Sequence, residues 1–332
     1  MAEPARIFGA EMSPYSVKVR SYFRYKEIPH RWILRNADTQ AVYEKFAKLP
    51  IIPLVVTPED ASLQDSTPII DAMDELHPEP WIHPADAVAR FVSILIEEFG
   101  DEWGNKWMFH FRWTREVDQV ASAGRIARMR APGASDDEHA QLVAQVRKRM
   151  VERVWFVGSN ELTSSQIESG FRAMLALLER HLDGRPYLFG GRPAYGDFGL
   201  WGQIYQLWTD PTAGALIEGT APNVLDWVQR MLWPRAESAF ESWSTLAPTL
   251  MPILKDQVGG QFLPWTLANE AALKRGDEEL TVRLGDRIWI QKPQKYHARS
   301  LAMLRAKYAA VAEKTALDPV LEEAGCLAGL RV

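Results

Sequence analysis

The stretch Leu-Pro-Ile-Ile-Pro-Leu-Val-Val (residues 49–56) is an apolar segment with a proline near its centre. A proline inside a strand cannot donate a ladder hydrogen bond, so it normally lies at a sheet edge or a bulge. If the Ile52–Pro53 bond is cis, the backbone N–H and C=O of Ile52 turn outward, and an extended peptide can pair with them as a short added strand. An ordinary trans edge proline is the alternative. The segment 51–56 therefore predicts a strand with a candidate peptide-binding edge.

Strand and helix patterns alternate on both sides of this segment. Residues 5–8 and 30–35 predict strands, and Ser13-Pro14 begins a helix that reaches about Tyr25, because serine is a good N-cap and proline is favoured at the first helical position. Residues 61–65 predict a short edge strand, and the helix that follows begins at residues 66–68 and ends near residue 76. This order predicts a small α/β unit.

Two clusters of polar residues mark the starts of those helices. Ser13, Tyr15 and Ser16 place hydroxyl groups at a helix N-terminus, where free N–H groups and the helix dipole favour a thiolate or another anion. Asp65 and Ser66, read as an acid beside a serine N-cap, suit the ammonium and carboxylate of an α-amino acid. The alternative for each cluster is that the serine only caps its helix.

Composition limits the class of protein. The 332 residues are 47% hydrophobic and 24% charged with a net charge of −5, which is typical of a globular protein and excludes the basic footprint of a nucleic-acid binder. The single cysteine, Cys326, cannot form an internal disulfide, and the seven histidines show no metal-ligand spacing, so we expect no metal. The start Met-Ala-Glu-Pro-Ala-Arg lacks a signal-peptide core, and no apolar run is long enough to cross a bilayer. We expect a cytoplasmic protein without membrane contact.

The sequence predicts three domains. Prolines 78, 80 and 84 mark a linker after an α/β domain over residues 1–80. Helical periodicity then dominates residues 85–254, which predicts an all-α domain. Residues 255–332 form an extension with a predicted β-hairpin over 280–290, turning at Gly285-Asp286, and a helix over about 293–312.

The order and spacing of these motifs resemble the glutathione S-transferase superfamily. The match lies in residues 13–20, 49–55 and 64–70, with 39 residues from Ser13 to Ile52 and 13 from Ile52 to Asp65. The resemblance implies a thioredoxin-like first domain, an all-α second domain, a homodimer, and glutathione as co-substrate. It also implies that Ile52, before a cis Pro53, pairs with the cysteine backbone of glutathione, and that Asp65 and Ser66 hold its γ-glutamyl group.

Two further features bear on this resemblance. Residues 185–190 and 195–198 are similar to the family's structural capping segment, which makes Asp197 a structural residue. Residues 255–332 have no counterpart in compact members of the family.

The residue that meets the sulfur in this family corresponds to Ser13. Its Pro-aromatic context resembles members with a catalytic cysteine, which act through a mixed disulfide, and a serine cannot form that intermediate. A hydroxyl can instead donate to the glutathione thiolate, whose thiol has a pKa of about 8.5 when free. Tyr15 and Ser16 are alternative donors.

An aromatic stripe recurs every four residues on the first long helix of the second domain: Phe99, Trp103, Trp107 and Phe111, with His110 beside it. The family lines its hydrophobic substrate site at this place, whereas a plain core stripe is the alternative.

We therefore expect a glutathione-dependent transferase or related lyase in which the thiolate attacks a hydrophobic electrophile, as in detoxification. The alternative is a binding or interaction protein of the same fold with little or no catalysis, which the extension and the missing cysteine at position 13 favour. Ser13 disfavours a thiol reductase.

Overall fold

A four-stranded sheet forms the centre of the first domain in the computed structural model, which describes residues 3–331. Met1, Ala2 and Val332 lie outside the described residues. The predicted domain limits at residues 1 and 332 therefore lie outside them too, as does the beginning of the N-terminal segment that was compared with a signal peptide. The strand order is β2-β1-β3-β4, with β1 parallel to β2 and the other pairs antiparallel. The strands are β1 (Ala5–Gly9), β2 (His30–Leu34), β3 (Leu54–Val56) and β4 (Ser62–Gln64).

The third strand is shorter than predicted. It begins at Leu54, so Ile51 and Ile52 lie outside the sheet, although the sequence pattern placed them in the strand. Since Pro53 has no N–H to donate, the ladder with β1 and β4 begins only after it. The segment that precedes the proline is thereby left free of sheet pairing.

Three helices complete a thioredoxin-like domain, as the resemblance implies. They are α1 (Pro14–Tyr25), α2 (Gln40–Phe46) and α3 (Ser66–Leu76). Ten of the twelve residues of α1 are buried, because the helix packs against β1 and α3 of its own domain and also against the second domain. The start of α1 is therefore held rigidly between the two domains.

The second domain is all-α, as predicted. Its helices are α4 (Ala87–Phe99), α5 (Asn105–Thr114), α6 (Glu116–Arg130), α7 (Asp136–Val151), α8 (Ser164–His181), α9 (Tyr195–Trp208), α10 (Pro211–Thr220), α11 (Pro222–Arg230) and α12 (Trp243–Ile253). A π-turn (Gly100–Gly104) joins α4 to α5, and a 3₁₀ turn (Val154–Val157) follows α7.

Helix α9 is the central helix of this domain, and small residues let its neighbours approach it closely. A Cβ at Gly199 would lie 2.8 Å from the Glu97 Cα atom, and one at Gly202 would lie 2.7 Å from the carbonyl oxygen of Pro14. Both contacts are shorter than real Cβ atoms allow, so glycine is required for this packing. Helix α9 thereby brings the start of α1 and the end of α4 together.

Asp197 holds the start of α9 in place. Its carboxylate accepts hydrogen bonds from the backbone N–H groups of Leu188 (2.8 Å) and Ala194 (2.9 Å) and from the indole of Trp227 (2.9 Å). The side chain is fully buried, so these donors replace the water it has lost. This agrees with the structural role predicted for Asp197.

The extension contains the predicted hairpin and helix and further helices that the sequence analysis missed. The hairpin is β5 (Leu280–Leu284) with β6 (Arg287–Gln291), followed by α14 (Lys295–Ala309). The additional helices are α13 (Leu263–Arg275), α15 (Leu317–Glu323) and α16 (Leu327–Leu330). Helical backbone continues from α12 through a π-helical segment (Leu254–Phe262) into α13. This continuous segment crosses residue 255, and the domain boundary predicted there stays a prediction.

Within residues 3–331, no helix has both the length and the apolar character needed to cross a bilayer. The same part of the chain holds no group of three or more His, Cys, Asp or Glu side chains arranged to hold a metal ion.

Candidate functional site

A cavity of about 350 Å³ lies where the first domain, the second domain and the extension meet. The first domain contributes Tyr15, Ile51, Ile52 and Asp65. Three separate predicted motifs, from the start of α1, the segment before Pro53 and the start of α3, thus lie around one cavity. This cavity is the candidate functional site.

Ile52 presents unpaired backbone to this cavity. The Ile52–Pro53 bond is cis, and neither the N–H nor the C=O of Ile52 has a hydrogen-bond partner among residues 3–331. The residue is half-buried and lines the cavity. An extended peptide in the cavity can therefore pair with both groups.

Gln64 holds the segment before Ile52 in place, a role that the sequence analysis did not assign. Its side-chain oxygen accepts hydrogen bonds from the N–H groups of Lys48 (2.7 Å) and Leu49 (2.9 Å), and its amide nitrogen donates to the carbonyls of Leu49 (2.8 Å) and Ile51 (3.2 Å). The hydroxyl of Tyr43 also donates to the Ile51 carbonyl at 2.6 Å. The loop that presents Ile52 is therefore fixed by side chains of its own domain.

Asp65 adopts a strained backbone conformation at the cavity wall. Its φ of 76° lies in the left-handed region, which an aspartate occupies at a cost, and such strain concentrates at functional sites. Burial raises the pKa of the Asp65 carboxyl above its usual 3.8, against the lowering effect of the Lys18 charge. A positively charged ligand group at this carboxylate would restore its ionised form.

Ser66 is the first residue of α3 and not its N-cap, which corrects the sequence interpretation. Asp65 occupies the N-cap position, and the Ser66 side chain turns inward and is 1% exposed. Its hydroxyl lies 3.4 Å from the Lys18 ammonium, which donates to it, and 3.4 Å from a carboxylate oxygen of Asp101. The Ser66 hydroxyl is thus part of the buried polar network around Lys18 and Asp101.

Lys18 forms the centre of the polar network behind the start of α3. Its buried ammonium donates to the carboxylates of Asp101 (2.6 Å) and Glu97 and to the hydroxyl of Thr67 (3.1 Å). Burial alone would lower the pKa of Lys18, but the charges of Asp101 and Glu97 outweigh burial and raise it. The network ties α1, α3 and the end of α4 together behind the cavity.

The three hydroxyl residues at the start of α1 differ in their access to the cavity. Ser13 is half-buried, caps α1 by accepting from the N–H of Ser16 at 3.2 Å, and is not among the residues that line the cavity. Ser16 is fully buried, so its hydroxyl cannot reach a ligand. Tyr15 lines the cavity, and its hydroxyl donates to the Asp101 carbonyl at 3.2 Å. The geometry therefore favours Tyr15 over Ser13 and Ser16 as the hydroxyl that meets a ligand.

Tyr15 is held as a neutral phenol. Burial, followed by the charges of Glu102 and Asp101, raises the pKa of its hydroxyl well above the usual 10.0. A neutral phenol keeps its proton and can donate it in a hydrogen bond to an anion such as a thiolate.

The aromatic stripe lies in the core and does not reach the cavity. Phe99, Trp103, Trp107 and Phe111 are at most 4% exposed, and Phe99 packs edge to face on Trp107 with ring centroids 5.6 Å apart. The core alternative is therefore the one that matches the structure, and these residues are absent from the cavity lining.

His110 is also away from the cavity. Its ring nitrogens lie 2.8 Å from the Ser159 hydroxyl and 3.3 Å from a carboxylate oxygen of Glu168, and burial lowers its pKa. It is a buried, paired histidine within the second domain.

The second domain contributes Glu102, Asn105 and Phe156 to the cavity, none of which was predicted. Glu102 and Asn105 stand three residues apart between the aromatic positions, a spacing that places them near one another on a helix. Phe156, in the 3₁₀ turn, is 47% exposed, and Ile51 of the first domain, which also lines the cavity, is 39% exposed. Together these two side chains give the cavity an apolar wall.

The extension contributes Gln294, Tyr296 and His297 from the start of α14. The Tyr296 hydroxyl lies 3.4 Å from an Asp65 carboxylate oxygen, and His297 Nδ1 is hydrogen-bonded to Glu102. No role of the extension can be predicted from its sequence, because the pattern of residues 293–312 predicts a helix but not what that helix packs against. The structure places the start of that helix over the cavity.

Comparison with known proteins identifies the family. The glutathione S-transferase N-terminal domain matches residues 7–81, and the glutathione S-transferase C-terminal domain matches residues 140–230, together half of the chain. No curated protein sequence matches the chain.

Solved structures with low identity are also similar. A glutathione S-transferase from Methylobacterium radiotolerans in complex with glutathione sulfonate has 19% identity and a TM-score of 0.43, with 72% of this chain and 99% of that chain covered. Glutathione transferase GSTFuA3 from Phanerochaete chrysosporium has 15% identity, a TM-score of 0.49 and coverage of 70% and 97%. The beta-etherase LigF from Sphingobium sp. strain SYK-6 has 14% identity, a TM-score of 0.48 and coverage of 69% and 95%. By the two domain matches, the chain belongs to the glutathione S-transferase superfamily.

Proposed function

We propose that the protein is a glutathione-dependent transferase whose glutathione thiolate attacks a hydrophobic electrophile in this cavity. The observation that carries the proposal is that the unpaired backbone of Ile52 shares one cavity with Asp65 and Tyr15. These groups are complementary to three features of glutathione, namely the cysteinyl backbone, the γ-glutamyl ammonium and the sulfur.

The roles follow from the contacts. Ile52 pairs with the cysteinyl backbone, Asp65 binds the ammonium, and the N–H at the start of α3 binds the γ-glutamyl carboxylate, since helix N-termini favour anions. Tyr15 turns its hydroxyl from the Asp101 carbonyl to the sulfur and stabilises the thiolate. Lowering the thiol pKa of about 8.5 by one unit raises the thiolate fraction at pH 7 about eightfold, and a second unit raises it about threefold more.

The electrophile lies against the apolar wall formed by Ile51 and Phe156. Both side chains are substantially exposed although both are large and hydrophobic, which supports an apolar ligand at this wall. Conjugation of such electrophiles is a reaction of detoxification.

We further propose that the chain acts in the cytoplasm as a homodimer with domains over residues 1–80, 85–254 and 255–332. Family membership supports the dimer. Sedimentation velocity checks it, with an expected mass twice the 37.7 kDa of the chain; a single species at 37.7 kDa would contradict the dimer.

The test of the proposed function uses the full chain. Retention on immobilised glutathione, followed by glutathione-dependent turnover of an activated aromatic halide, is the expected result. Retention without turnover of the halide or of benzylic electrophiles would favour the alternative, a binding protein of the same fold. The Tyr296–Asp65 contact is the observation that favours that alternative, because it partly covers the ammonium site. Absence of retention would contradict the transferase and leave only an interaction protein of the same fold.

A further inference from the structure

We propose that the C-terminal extension supplies a general acid to this site: His297, oriented by Glu102, protonates the oxygen that leaves the electrophile when the glutathione sulfur attacks. The inference rests on the proposed function and deepens it, because it assigns a substrate class. That class is hydrophobic electrophiles with an oxygen leaving group, such as benzylic aryl ethers.

The first support is the hydrogen bonding of the imidazole. Nδ1 pairs with the Glu102 carboxylate, whose residue is only 4% exposed. In this pairing Nδ1–H donates a hydrogen bond to the carboxylate, and Nε2 is the nitrogen that can transfer a proton, as in other carboxylate–histidine pairs that act in proton transfer. Nε2 has no hydrogen-bond partner among residues 3–331, and the ring lines the cavity.

The second support is that the ring is held rigidly. The Trp265 ring packs edge-on against the imidazole, with centroids 4.7 Å apart and planes at 69°. Two reciprocal hydrogen bonds fix the chain just before α14, since Asn269 donates to the Gln294 carbonyl (2.9 Å) and accepts from the Gln294 N–H (2.7 Å). Asn269 is fully buried, so this clamp is shielded from water. A preorganised ring of this kind is what proton transfer at a fixed point requires.

The third support is the position of the ring relative to the sulfur. Tyr15, the proposed sulfur ligand, donates to the carbonyl of Asp101, the residue before Glu102. His297 and Tyr15 therefore approach the cavity from adjacent points of the same π-turn. Both side chains line the cavity in which the electrophile would bind.

The charged and titratable groups near the His297 ring belong to several different elements. Glu102 belongs to the π-turn, Asp65 precedes α3, and Tyr15 and Tyr296 belong to α1 and α14. The Lys106 ammonium of α5 lies 3.7 Å from the centroid of the Trp265 ring, which also packs against His297. The groups that share the cavity with His297 are thus two acids and two phenols, and none is a competing base of the imidazole type.

The reaction balances without a further reactant. The thiolate sulfur forms a C–S bond at the carbon that carries the oxygen, and the C–O bond breaks with its electron pair moving to the oxygen. The oxygen takes the Nε2 proton of the imidazolium form of His297, and the resulting neutral imidazole, which keeps its Nδ1 proton, regains a proton on Nε2 from solvent. A chloride leaves without a proton, because it is a far weaker base than an alkoxide or phenoxide.

This difference between leaving groups provides the test. The full chain and three variants, His297→Gln, Glu102→Gln and the exposed control His77→Gln, are assayed with glutathione and either 4-nitrobenzyl chloride or 4-nitrobenzyl phenyl ether. We expect His297→Gln to lower kcat/KM for the ether about 100-fold and for the chloride less than threefold, since general acids contribute about 100-fold or more. Glu102→Gln removes the carboxylate that pairs with Nδ1 but also a charge beside Tyr15, so we expect a loss on both substrates that is larger on the ether. His77→Gln changes neither rate.

Each other outcome has a defined meaning. An equal loss on both substrates in His297→Gln would assign a merely structural role and overturn the inference, as would an unchanged rate on the ether. Turnover of the chloride but not the ether by the unmodified chain would overturn the inference and leave the proposed function standing. Turnover of neither substrate would overturn both.

Discussion

Replacing Asp65 by asparagine removes one negative charge from the cavity and little else. Asparagine has nearly the same shape, keeps an oxygen that accepts hydrogen bonds, and tolerates the positive φ of 76° at this position. The change therefore isolates the attraction between the carboxylate and the ammonium of glutathione.

The magnitude follows from the surroundings of the carboxylate. A hydrogen bond to a charged group contributes about 1.5–3 kcal/mol, and Asp65 is half-buried, which keeps the value away from the top of that range. We expect a loss of about 2 kcal/mol, which corresponds to about 30-fold weaker glutathione binding.

Isothermal titration calorimetry measures this loss, with Asp60→Asn as the matched control. Asp60 also has a positive φ, of 63°, but is exposed and outside the cavity, so its replacement leaves the affinity unchanged. The pH dependence gives a second readout. Because burial raises the pKa of Asp65, binding to the unmodified chain weakens with falling pH at values above the usual aspartate range, and the Asp65→Asn affinity lacks this step. An Asp65→Asn affinity within twofold of the unmodified value would refute the assignment of the ammonium site.

Three other predictions concern the thiolate and the stability of the fold. Tyr15→Phe should lower kcat/KM by about tenfold or more at neutral pH and much less at high pH, where glutathione ionises unaided. Ser13→Ala should lower it less. A larger loss for Ser13→Ala than for Tyr15→Phe in the pH–rate profiles would assign the thiolate-stabilising role to Ser13. Asp197→Ala should lower the free energy of unfolding in urea by about 4 kcal/mol, because three buried N–H donors lose their acceptor, and a loss below about 1 kcal/mol would contradict its capping role. Burial lowers the pKa of His181 to about 4 from its usual 6.5, so its contribution is complete above pH 6.5 and is lost as the pH falls towards 4, by about 3 kcal/mol. His181→Gln should flatten the stability profile over that window, and an unchanged slope in denaturant titrations would count against it.

Most of the fold could be predicted from short-range patterns in the sequence. The alternation of strands and helices in the first 76 residues and the helical periodicity beyond residue 85 depend on short-range patterns, and both were predicted. The start of α1 at Ser13-Pro14 and the hairpin around Gly285-Asp286 are marked by residues with strong local preferences. The strand before Val56 was predicted too long, since its apolar residues continue through Pro53 although the ladder cannot.

The candidate site was predicted only where it lies within one domain. Ile52 and Asp65 belong to local motifs whose spacing is visible in the sequence. The contributions of Glu102, Phe156 and His297 arise from packing between elements far apart in the chain, which no local pattern records. The aromatic stripe was open to two interpretations for the same reason, because a helix face that meets a ligand and one that meets the core have the same periodicity.

The central claim is that glutathione lies extended along Ile52 in the cavity between the three parts of the chain. A crystal structure of the protein soaked with glutathione tests it most directly. We predict hydrogen bonds from the ligand's cysteinyl backbone to both the N–H and the C=O of Ile52, with the ammonium at Asp65 and the sulfur within reach of Tyr15. A ligand bound elsewhere, or an empty cavity at saturating glutathione, would contradict the claim.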